Sequence, residues 1–533
     1  MGKTYPTIIS GAAIGLILAL SQPLYNLGIL IFPGFILFFL ALKLQGSPVN
    51  SGFLLGYSAG LAYFLINFKW HWTVYPLKDI GIENPYLGFF LVFSAWAIIA
   101  GVLALTWGIS AGLWKKLDKK ISWAALLIFP SVFTLLEYLR SFLIGWVWAG
   151  PGTPLGPNWT IGSIAYNLHE SFLTLKFASW FGIYGLTFVI IFLGLLLFIF
   201  LEKRSYRKLL ITALAIVIFI YLPALQGSPV ATGLPCSAPC TEVAVIQTKI
   251  PNQVFFTPEE EISIFKNQLE LIDEASKNFP QTKLIVFPEG GNFFKTLTLF
   301  RNTAGASQYF SGLFPHSALI VDNSKIATES KFQSKTIFLD SQKGVLDSYD
   351  KYLLAPMGEY APLILKTLDR ILGLNTPAIQ EKQEYQTGTK PPEAIDGETA
   401  IKAGSLVCSD IFSPSLAKNL TATGAGLIIS QSSFSFIEGA SDLFEQDLAA
   451  AKFRAAENGR YLVKASNFGR SYIISDQGIV QKITPGIGWQ ILTGSVVLKD
   501  NQTLYNKTGD SPILLGSLAI LTASLFLRKN EHD

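Results

Sequence analysis

The chain has 533 residues, of which 50% are hydrophobic, only 15% are charged and 40 are phenylalanine. This composition exceeds what the core of a soluble domain needs, so it indicates a membrane protein. The formal net charge is only +4, and no basic patch is evident, which argues against a nucleic-acid partner.

Eight uncharged apolar runs predict transmembrane helices. A bilayer core about 30 Å thick requires about 20 apolar residues per helix. The runs lie near residues 7–25, 27–42, 51–68, 86–114, 121–136, 177–201, 209–225 and 511–527. We therefore predict a seven-helix membrane domain over residues 1–225. Residues 511–533 form an eighth transmembrane helix with a short tail.

The positions of lysine and arginine predict the orientation. With a cytoplasmic N-terminus, the inside loops hold Lys43, the stretch KKLDKK, the stretch EKRSYRK and the tail RKNEHD. The outside loops near residues 21–26 and 141–176 carry almost no basic residues. The positive-inside rule then places residues 226–510 on the extracytoplasmic side.

Residues 226–510 return to a soluble composition and alternate between strand and helix patterns. A helix is predicted over residues 258–279, where Thr257-Pro258 precedes three acidic residues, and another over 441–459. Strands are predicted over 241–250, 283–291, 317–327, 335–349, 403–412, 424–434 and 460–469, and a hairpin over 471–483. This order predicts a mixed α/β sandwich with helices outside buried sheets.

Three of these strand ends carry side chains that could take part in catalysis. Glu289 follows an apolar strand and precedes two glycines, so a partly desolvated carboxylate there would serve as a general base. Lys351 lies in a Pro- and Gly-containing loop with Glu359, where a fixed ammonium would stabilise an oxyanion. Cys408 and Asp410 would face the same way if the strand continues that far. A thiol near a carboxylate and a lysine is an activated nucleophile, provided that the three converge.

The other cysteines and the histidines indicate no metal site or cofactor. Cys236 and Cys240 either pair or remain reduced, and Cys408 is left over. The four histidines are scattered, and no second cysteine pair exists for zinc.

Longer motifs resemble a known family. YDKYLLAPMGEYAPL (349–363) resembles the Y-x-K-x-x-L-x-P-x-G-E-Y-x-P segment of the apolipoprotein N-acyltransferases, which belong to the nitrilase, or carbon–nitrogen hydrolase, superfamily. RAAENGRYLVKASNFG (454–469) and PSVFTLLEYLR (130–140) resemble two further segments of that family. The sequence departs from it where Ser409 and Asp410 replace Tyr-Glu, and where SQSS (430–433) replaces Asn-Asp-x-Trp.

The resemblance implies an αββα nitrilase-like domain with a catalytic triad of Glu289, Lys351 and Cys408, supported by Glu359 and Asp410. It implies acyl transfer from a phospholipid donor to the diacylated N-terminal cysteine of an apolipoprotein, at the lipid bilayer of the bacterial inner membrane. Two alternatives remain at this stage: a membrane-tethered amidase that hydrolyses a C–N bond, and a catalytically inactive paralogue.

Two features of the membrane part are open to a structural or a functional interpretation. Glu137 and Arg140 lie one helical turn apart in an apolar run, and a self-satisfied ion pair is the simpler interpretation. The segment 144–159, rich in Trp, Gly and Pro, is either an arm that meets lipid or an ordinary interfacial loop.

Overall fold

The computed structural model describes residues 4–45, 49–80, 82–117, 125–225, 240–252, 256–300, 303–314, 316–328, 331–371, 373–381, 384–396 and 401–530. Cys236, for which the sequence left two states open, lies outside these ranges. Cys408 is a free cysteine.

Helices form the N-terminal part, the outer layers of the soluble domain and the C-terminus. In chain order they are α1 (Thr4–Ala19), α2 (Ile31–Leu44), α3 (Val49–Asn67), α4 (Pro85–Leu117), α5 (Ala125–Val147), α6 (Phe172–Glu202), α7 (Tyr206–Leu225), α8 (Pro258–Asn278), α9 (Phe293–Phe300), α10 (Thr303–Leu313), α11 (Leu363–Ile371), α12 (Pro377–Gln380), α13 (Pro414–Ala422), α14 (Ser441–Asn458), α15 (Leu504–Thr508) and α16 (Ser511–Asn530).

Several of these helices suit a membrane. By length and composition, four described helices are long and apolar enough to cross one: Val49–Asn67, Pro85–Lys116, Leu126–Val147 and Phe172–Glu202. Tyr5–Ala19, Gly28–Leu44 and Ser511–Phe526 are apolar but shorter. The α-helical character of these segments is therefore confirmed, whereas the count of eight spans stays a prediction.

Small residues let the membrane helices pack closely. A Cβ atom added at Gly15 of α1 would lie 2.2 Å from the carbonyl oxygen of Ala59 in α3. One added at Gly56 of α3 would lie 2.4 Å from the carbonyl oxygen of Trp107 in α4. Backbones this close gain van der Waals contact without a hydrophobic driving force, as helices within lipid require.

Twelve strands form two six-stranded sheets. They are β1 (Thr241–Gln247), β2 (Thr282–Val286), β3 (Leu319–Ala327), β4 (Phe332–Asp340), β5 (Gly344–Asp350), β6 (Ile395–Asp396), β7 (Lys402–Val407), β8 (Leu427–Ser433), β9 (Tyr461–Asn467), β10 (Tyr472–Ile474), β11 (Val480–Ile483) and β12 (Gln490–Val496). The strand orders are β12-β1-β2-β3-β4-β5 and β11-β10-β9-β8-β7-β6.

The two sheets form the predicted α/β sandwich. Inward-facing residues such as Val286, Val321, Phe338 and Ile429 form one buried core between the sheets. Residues of α8, α9 and α10 form a second core on the outer face of the first sheet. Residues of α13 and α14 cover the second sheet and continue into the core of the membrane helices.

Helix α14 joins the sandwich to the membrane domain. Its Gln446 accepts a hydrogen bond from the Gly162 N–H at 3.0 Å and donates one to the Asn67 carbonyl at 3.1 Å. Its Lys452 lies 2.8 Å from Glu170. The two sheets are thus fixed to the N-terminal helices by directed polar contacts.

The predicted helices at 258–279 and 441–459 agree with α8 and α14, but some predicted strands are wrong in extent. The run 335–349 is not one strand, because a turn separates β4 from β5. The predicted strand 403–412 ends at Val407, and Cys408–Phe412 is a 3₁₀ helix. The segments α9, α10 and α11 are helices that the sequence analysis did not identify.

Candidate active site

Glu289 lies in a tight turn just beyond β2. Gly290 has φ +69°, in the left-handed region that glycine tolerates at no steric cost. The Glu289 carboxylate is 12% exposed and accepts a hydrogen bond from the backbone N–H of Ser433 at 3.0 Å. The end of β8 in the opposite sheet therefore helps to hold this carboxylate.

Lys351 bridges two carboxylates. It follows β5, its side chain is 1% exposed, and its Nζ lies 2.8 Å from Oε1 of Glu289 and 2.9 Å from Oε2 of Glu359. Burial alone would lower the pKa of Lys351, but the charges of Glu289 and Glu359 outweigh it and raise the pKa well above its usual value. Lys351 is accordingly a permanent cation rather than a base.

Glu359 is held by the loop that carries it. Its Oε2 also accepts a hydrogen bond from the Ala355 N–H at 2.6 Å, and Met357 between them has φ +66°. Burial raises the pKa of Glu359, while Lys351 acts in the opposite direction. The loop thus provides one carboxylate aimed at Lys351 from the side opposite Glu289.

Cys408 starts the 3₁₀ helix after β7 and has φ +50°. A non-glycine residue in this region is uncommon and is typical of a functional turn. Burial raises the pKa of the thiol to about 12; the charge of Glu289 adds to this effect and that of Lys351 opposes it. Cys408 is therefore within electrostatic reach of both residues, and its resting form at neutral pH is the thiol.

Asp410 supports the turn rather than extending the strand. Its carboxylate accepts hydrogen bonds from the N–H of Val407 at 3.0 Å, the N–H of Leu353 at 2.8 Å and the hydroxyl of Tyr349 at 3.0 Å. Burial raises the pKa of Asp410 to about 6. The neighbouring Ser409 hydroxyl donates to the Leu353 carbonyl. Ser409 and Asp410 together tie the Cys408 turn to the Lys351 loop.

The structure therefore brings Lys351 into direct contact with Glu289 and Glu359 and places Cys408 within electrostatic reach of all three. The condition under which Cys408 and Asp410 would share a strand face is not met, because the strand ends first. Two contacts were not foreseen: the Ser433 N–H on Glu289, and the anchoring of Asp410 by Leu353. The departures from the family at SQSS and at Ser409-Asp410 marked both regions, but neither departure identified the contact that is made there.

A loop of the membrane domain also borders the site. The Tyr360 hydroxyl donates to the Trp148 carbonyl at 2.6 Å, and the Leu363 N–H donates to the Ala149 carbonyl at 2.8 Å. Farther along, the Thr160 hydroxyl donates to the Phe412 carbonyl at 2.5 Å. The segment 144–159 thus contacts the catalytic loops, while Trp146 within it remains 51% exposed.

Glu137 and Arg140 form the self-satisfied pair. The Arg140 guanidinium contacts both carboxylate oxygens of Glu137, at 2.8 and 2.9 Å, and both side chains are 1% exposed. Arg140 also donates to the Ile161 carbonyl at 2.8 Å. The pair thereby fixes the start of the segment that leads from the loop to α6.

Comparison with known proteins gives two adjoining matches. Residues 14–196 match the model of the apolipoprotein N-acyltransferase N-terminal domain, and residues 242–503 match that of carbon-nitrogen hydrolases. In structure, a carbon-nitrogen hydrolase from Helicobacter pylori G27 aligns with 54% of this chain and 94% of its own, at 15% identity and TM-score 0.38.

Relatives named apolipoprotein N-acyltransferase align over nearly the whole length. That of Geobacter metallireducens is 24% identical over 97% of this chain and 95% of its own. Those of Shewanella oneidensis and Chromobacterium violaceum are 23% and 26% identical, over 89% and 92% of this chain and 87% and 88% of their own. With its membrane and hydrolase-like parts both matched, the chain belongs to the apolipoprotein N-acyltransferase family of the carbon–nitrogen hydrolase superfamily.

Proposed function

We propose that this enzyme transfers a fatty acyl chain from a membrane phospholipid to the α-amine of the diacylated N-terminal cysteine of lipoproteins, through a thioester on Cys408. The observation that carries the proposal is the Lys351 ammonium, which forms ion pairs with Glu289 and Glu359 within electrostatic reach of the Cys408 thiol. The amidase and the inactive paralogue are not favoured, because the matched relatives carry the acyltransferase name along the whole chain.

In the first step Glu289 takes the Cys408 proton as Sγ attacks the ester carbonyl of the phospholipid. The new carbon–sulfur bond places negative charge on the carbonyl oxygen, which the Lys351 ammonium stabilises. The tetrahedral intermediate then collapses, the carbon–oxygen bond breaks, and Glu289 returns the proton to the leaving alkoxide. A lysophospholipid departs and Cys408 carries the acyl chain.

In the second step the α-amine of the acceptor attacks the thioester carbonyl. Glu289 removes a proton from the attacking nitrogen, and Lys351 again stabilises the oxyanion. Collapse breaks the carbon–sulfur bond and forms the amide, and Glu289 protonates the departing sulfur. Lys351 is charged in the resting site, because Glu289 and Glu359 raise its pKa, and Glu359 remains paired with it while Glu289 holds a proton. Glu359 keeps its position while Glu289 exchanges protons.

The membrane supplies both substrates in one layer. We infer eight spans, with residues 1–225 and 511–533 in the inner membrane and residues 226–510 on its periplasmic side. The distribution of lysine and arginine supports this orientation. Because the thiol is held at the lipid surface, the donor and the acceptor reach it by diffusion within the bilayer. This favours the encounter of Cys408 with each of the two substrates.

Mass spectrometry of Cys408 after incubation with phospholipid tests the proposal. We expect the peptide that contains Cys408 to gain the mass of one fatty acyl chain, and Cys408→Ser to abolish acyl transfer while leaving the fold intact. Release of ammonia from small amides, with no acyl chain on Cys408, would instead identify an amidase.

A further inference from the structure

The interior of the sandwich changes from apolar to polar at its catalytic end. Along β3 the inward row passes from Val321 to Asn323, and along β8 it passes from Ile429 to Gln431. Thr336 occupies the matching place on β4, paired with Asn323 across the ladder. These three polar side chains are at most 1% exposed. Polar groups so deeply buried are costly unless every one finds a partner.

Gln431 lies at the centre of this group. Its Nε2 donates to the Phe287 carbonyl at 2.7 Å, two residues before Glu289. Its Oε1 accepts hydrogen bonds from the hydroxyls of Thr336 at 2.9 Å and Ser405 at 2.8 Å. One side chain therefore connects strands of both sheets to the approach of the Glu289 turn.

Asn323 holds the same turn from its other side. Its Oδ1 accepts a hydrogen bond from the Gly290 N–H at 3.0 Å, directly after Glu289. Its Nδ2 donates to the Thr336 hydroxyl at 3.2 Å. Because Thr336 also donates to Gln431, its single hydroxyl closes a ring of hydrogen bonds around the turn that carries Glu289.

The ring also touches the strands that lead to Lys351 and Cys408. Gln431 pairs in register with Val407, the residue before Cys408. On β4, the carbonyl of Ser334 accepts the Lys351 N–H at 2.9 Å, and the Ser334 hydroxyl also contacts Asn323. Displacement of this ring would thus change the relative positions of the carboxylate, the ammonium and the thiol together.

Gln431 and Asn323 satisfy the Phe287 carbonyl and the Gly290 N–H, which stabilises the fold, and the same two bonds fix the backbone on both sides of Glu289. Directed bonds fix distances, whereas apolar packing does not. We propose that Asn323, Thr336 and Gln431 are positioning residues that hold Glu289 in register with Lys351 and Cys408. This inference rests on the proposed function, in which Glu289 is the base.

Two substitutions at Thr336, one that removes the hydroxyl and one that removes the methyl group, distinguish an effect on the position of Glu289 from an effect on stability. Thr336→Val keeps the volume and removes the hydroxyl, whereas Thr336→Ser keeps the hydroxyl and removes the methyl group. The rate of thioester formation on Cys408 at saturating phospholipid should fall about tenfold or more in Thr336→Val, because a small misplacement of a reacting group greatly lowers the reaction rate. Thr336→Ser should retain the rate within about twofold, although the lost methyl group lowers its melting temperature.

The matched control is Ser432→Ala. Ser432 is buried on the same strand as Gln431, but its hydroxyl pairs with that of Ser466 at 3.2 Å rather than with a residue of the ring. Its rate should stay within about twofold of the parent. If Thr336→Val is no slower than Ser432→Ala, or if Thr336→Ser is as slow as Thr336→Val, the positioning role is wrong.

Two further variants keep the test decisive. Should Thr336→Val fail to fold, Ser405→Ala removes only one of the two donors to Gln431, and its rate should fall about threefold; a rate equal to that of Ser432→Ala would overturn the inference. Glu289→Gln should abolish thioester formation. If Glu289→Gln keeps the parent rate, the proposed base is wrong, whereas loss in Glu289→Gln without loss in Thr336→Val overturns only the positioning role.

Discussion

At the residue scale, burial keeps Cys408, the proposed nucleophile, as a neutral thiol. Burial raises the pKa of Cys408 to about 12, and the nucleophilic species is the thiolate. The sulfur must therefore lose its proton to Glu289 in the step in which it attacks. An enzyme at the surface of the bilayer gains from this arrangement, because a resting thiol is less open to oxidation than a thiolate.

Alkylation of Cys408 by iodoacetamide should report this raised pKa. In the detergent-solubilised enzyme we expect the rate to increase about tenfold per pH unit from about pH 7 to 10, without levelling off near the usual cysteine pKa of about 8.5. The same protein unfolded in denaturant serves as the control, and its rate should level off near that value. A plateau below about pH 8 in the folded enzyme would mean that the thiol is activated before substrate binds.

The turn at Cys408 also shows how a single residue, Asp410, can end a strand that the local sequence predicts to continue. The run AGSLVCSDIF has the composition of a strand through residue 412, but Asp410 accepts the N–H of Val407 and closes a 3₁₀ turn. The second partner of Asp410, Leu353, is 57 residues away. The motifs therefore allowed the residues of the site to be predicted, while the turn that presents the sulfur depends on a long-range contact that local patterns do not encode.

At the scale of elements, α14 and α6 fix the catalytic domain to the membrane helices. The sequence of α14 predicts a helix but not how fully it is buried. In the structure 15 of its 18 residues are buried, including Arg454 and Glu457. Glu457 accepts a hydrogen bond from the Ile183 N–H at 3.1 Å. That N–H is free because α6 is kinked at Gly182, where φ is +65° and ψ is −173°.

Substitution of Gly182 should therefore weaken the junction. In Gly182→Ala the new Cβ would lie 2.4 Å from the Tyr505 ring, in a backbone region that L-residues rarely adopt. We expect a loss of about 1–3 kcal/mol in the free energy of unfolding, seen as a lower melting temperature in detergent.

The control for this substitution is Gly516→Ala in α16, where nothing lies within 4 Å of the added Cβ. Alanine there should leave the melting temperature unchanged or raise it, because alanine is the better helix former. Equal melting temperatures for the two variants would show that the kink at Gly182 does not contribute to stability.

At the scale of the whole molecule, the segment that follows α5 contacts the loop that carries Glu359. Hydrophobic runs were sufficient to predict the long apolar helices and the α/β sandwich, but not α9, α10 and α11, because long apolar stretches and alternating strands leave the strongest signals. They were not sufficient to predict that Trp148 and Ala149 would contact the loop that carries Glu359. Such contacts depend on shape and on single backbone groups, so they appear only once both domains are folded together.

The central claim, acyl transfer through Cys408, is tested most directly by following the acyl group through both steps. The enzyme is loaded with phospholipid, freed of excess donor and divided, and one portion receives a diacylated lipopeptide with a free α-amine. We predict that the thioester on Cys408 disappears with formation of one equivalent of triacylated peptide, while the portion without peptide keeps its thioester. An unmodified Cys408, or a thioester that hydrolyses equally fast with and without the peptide, would contradict this account.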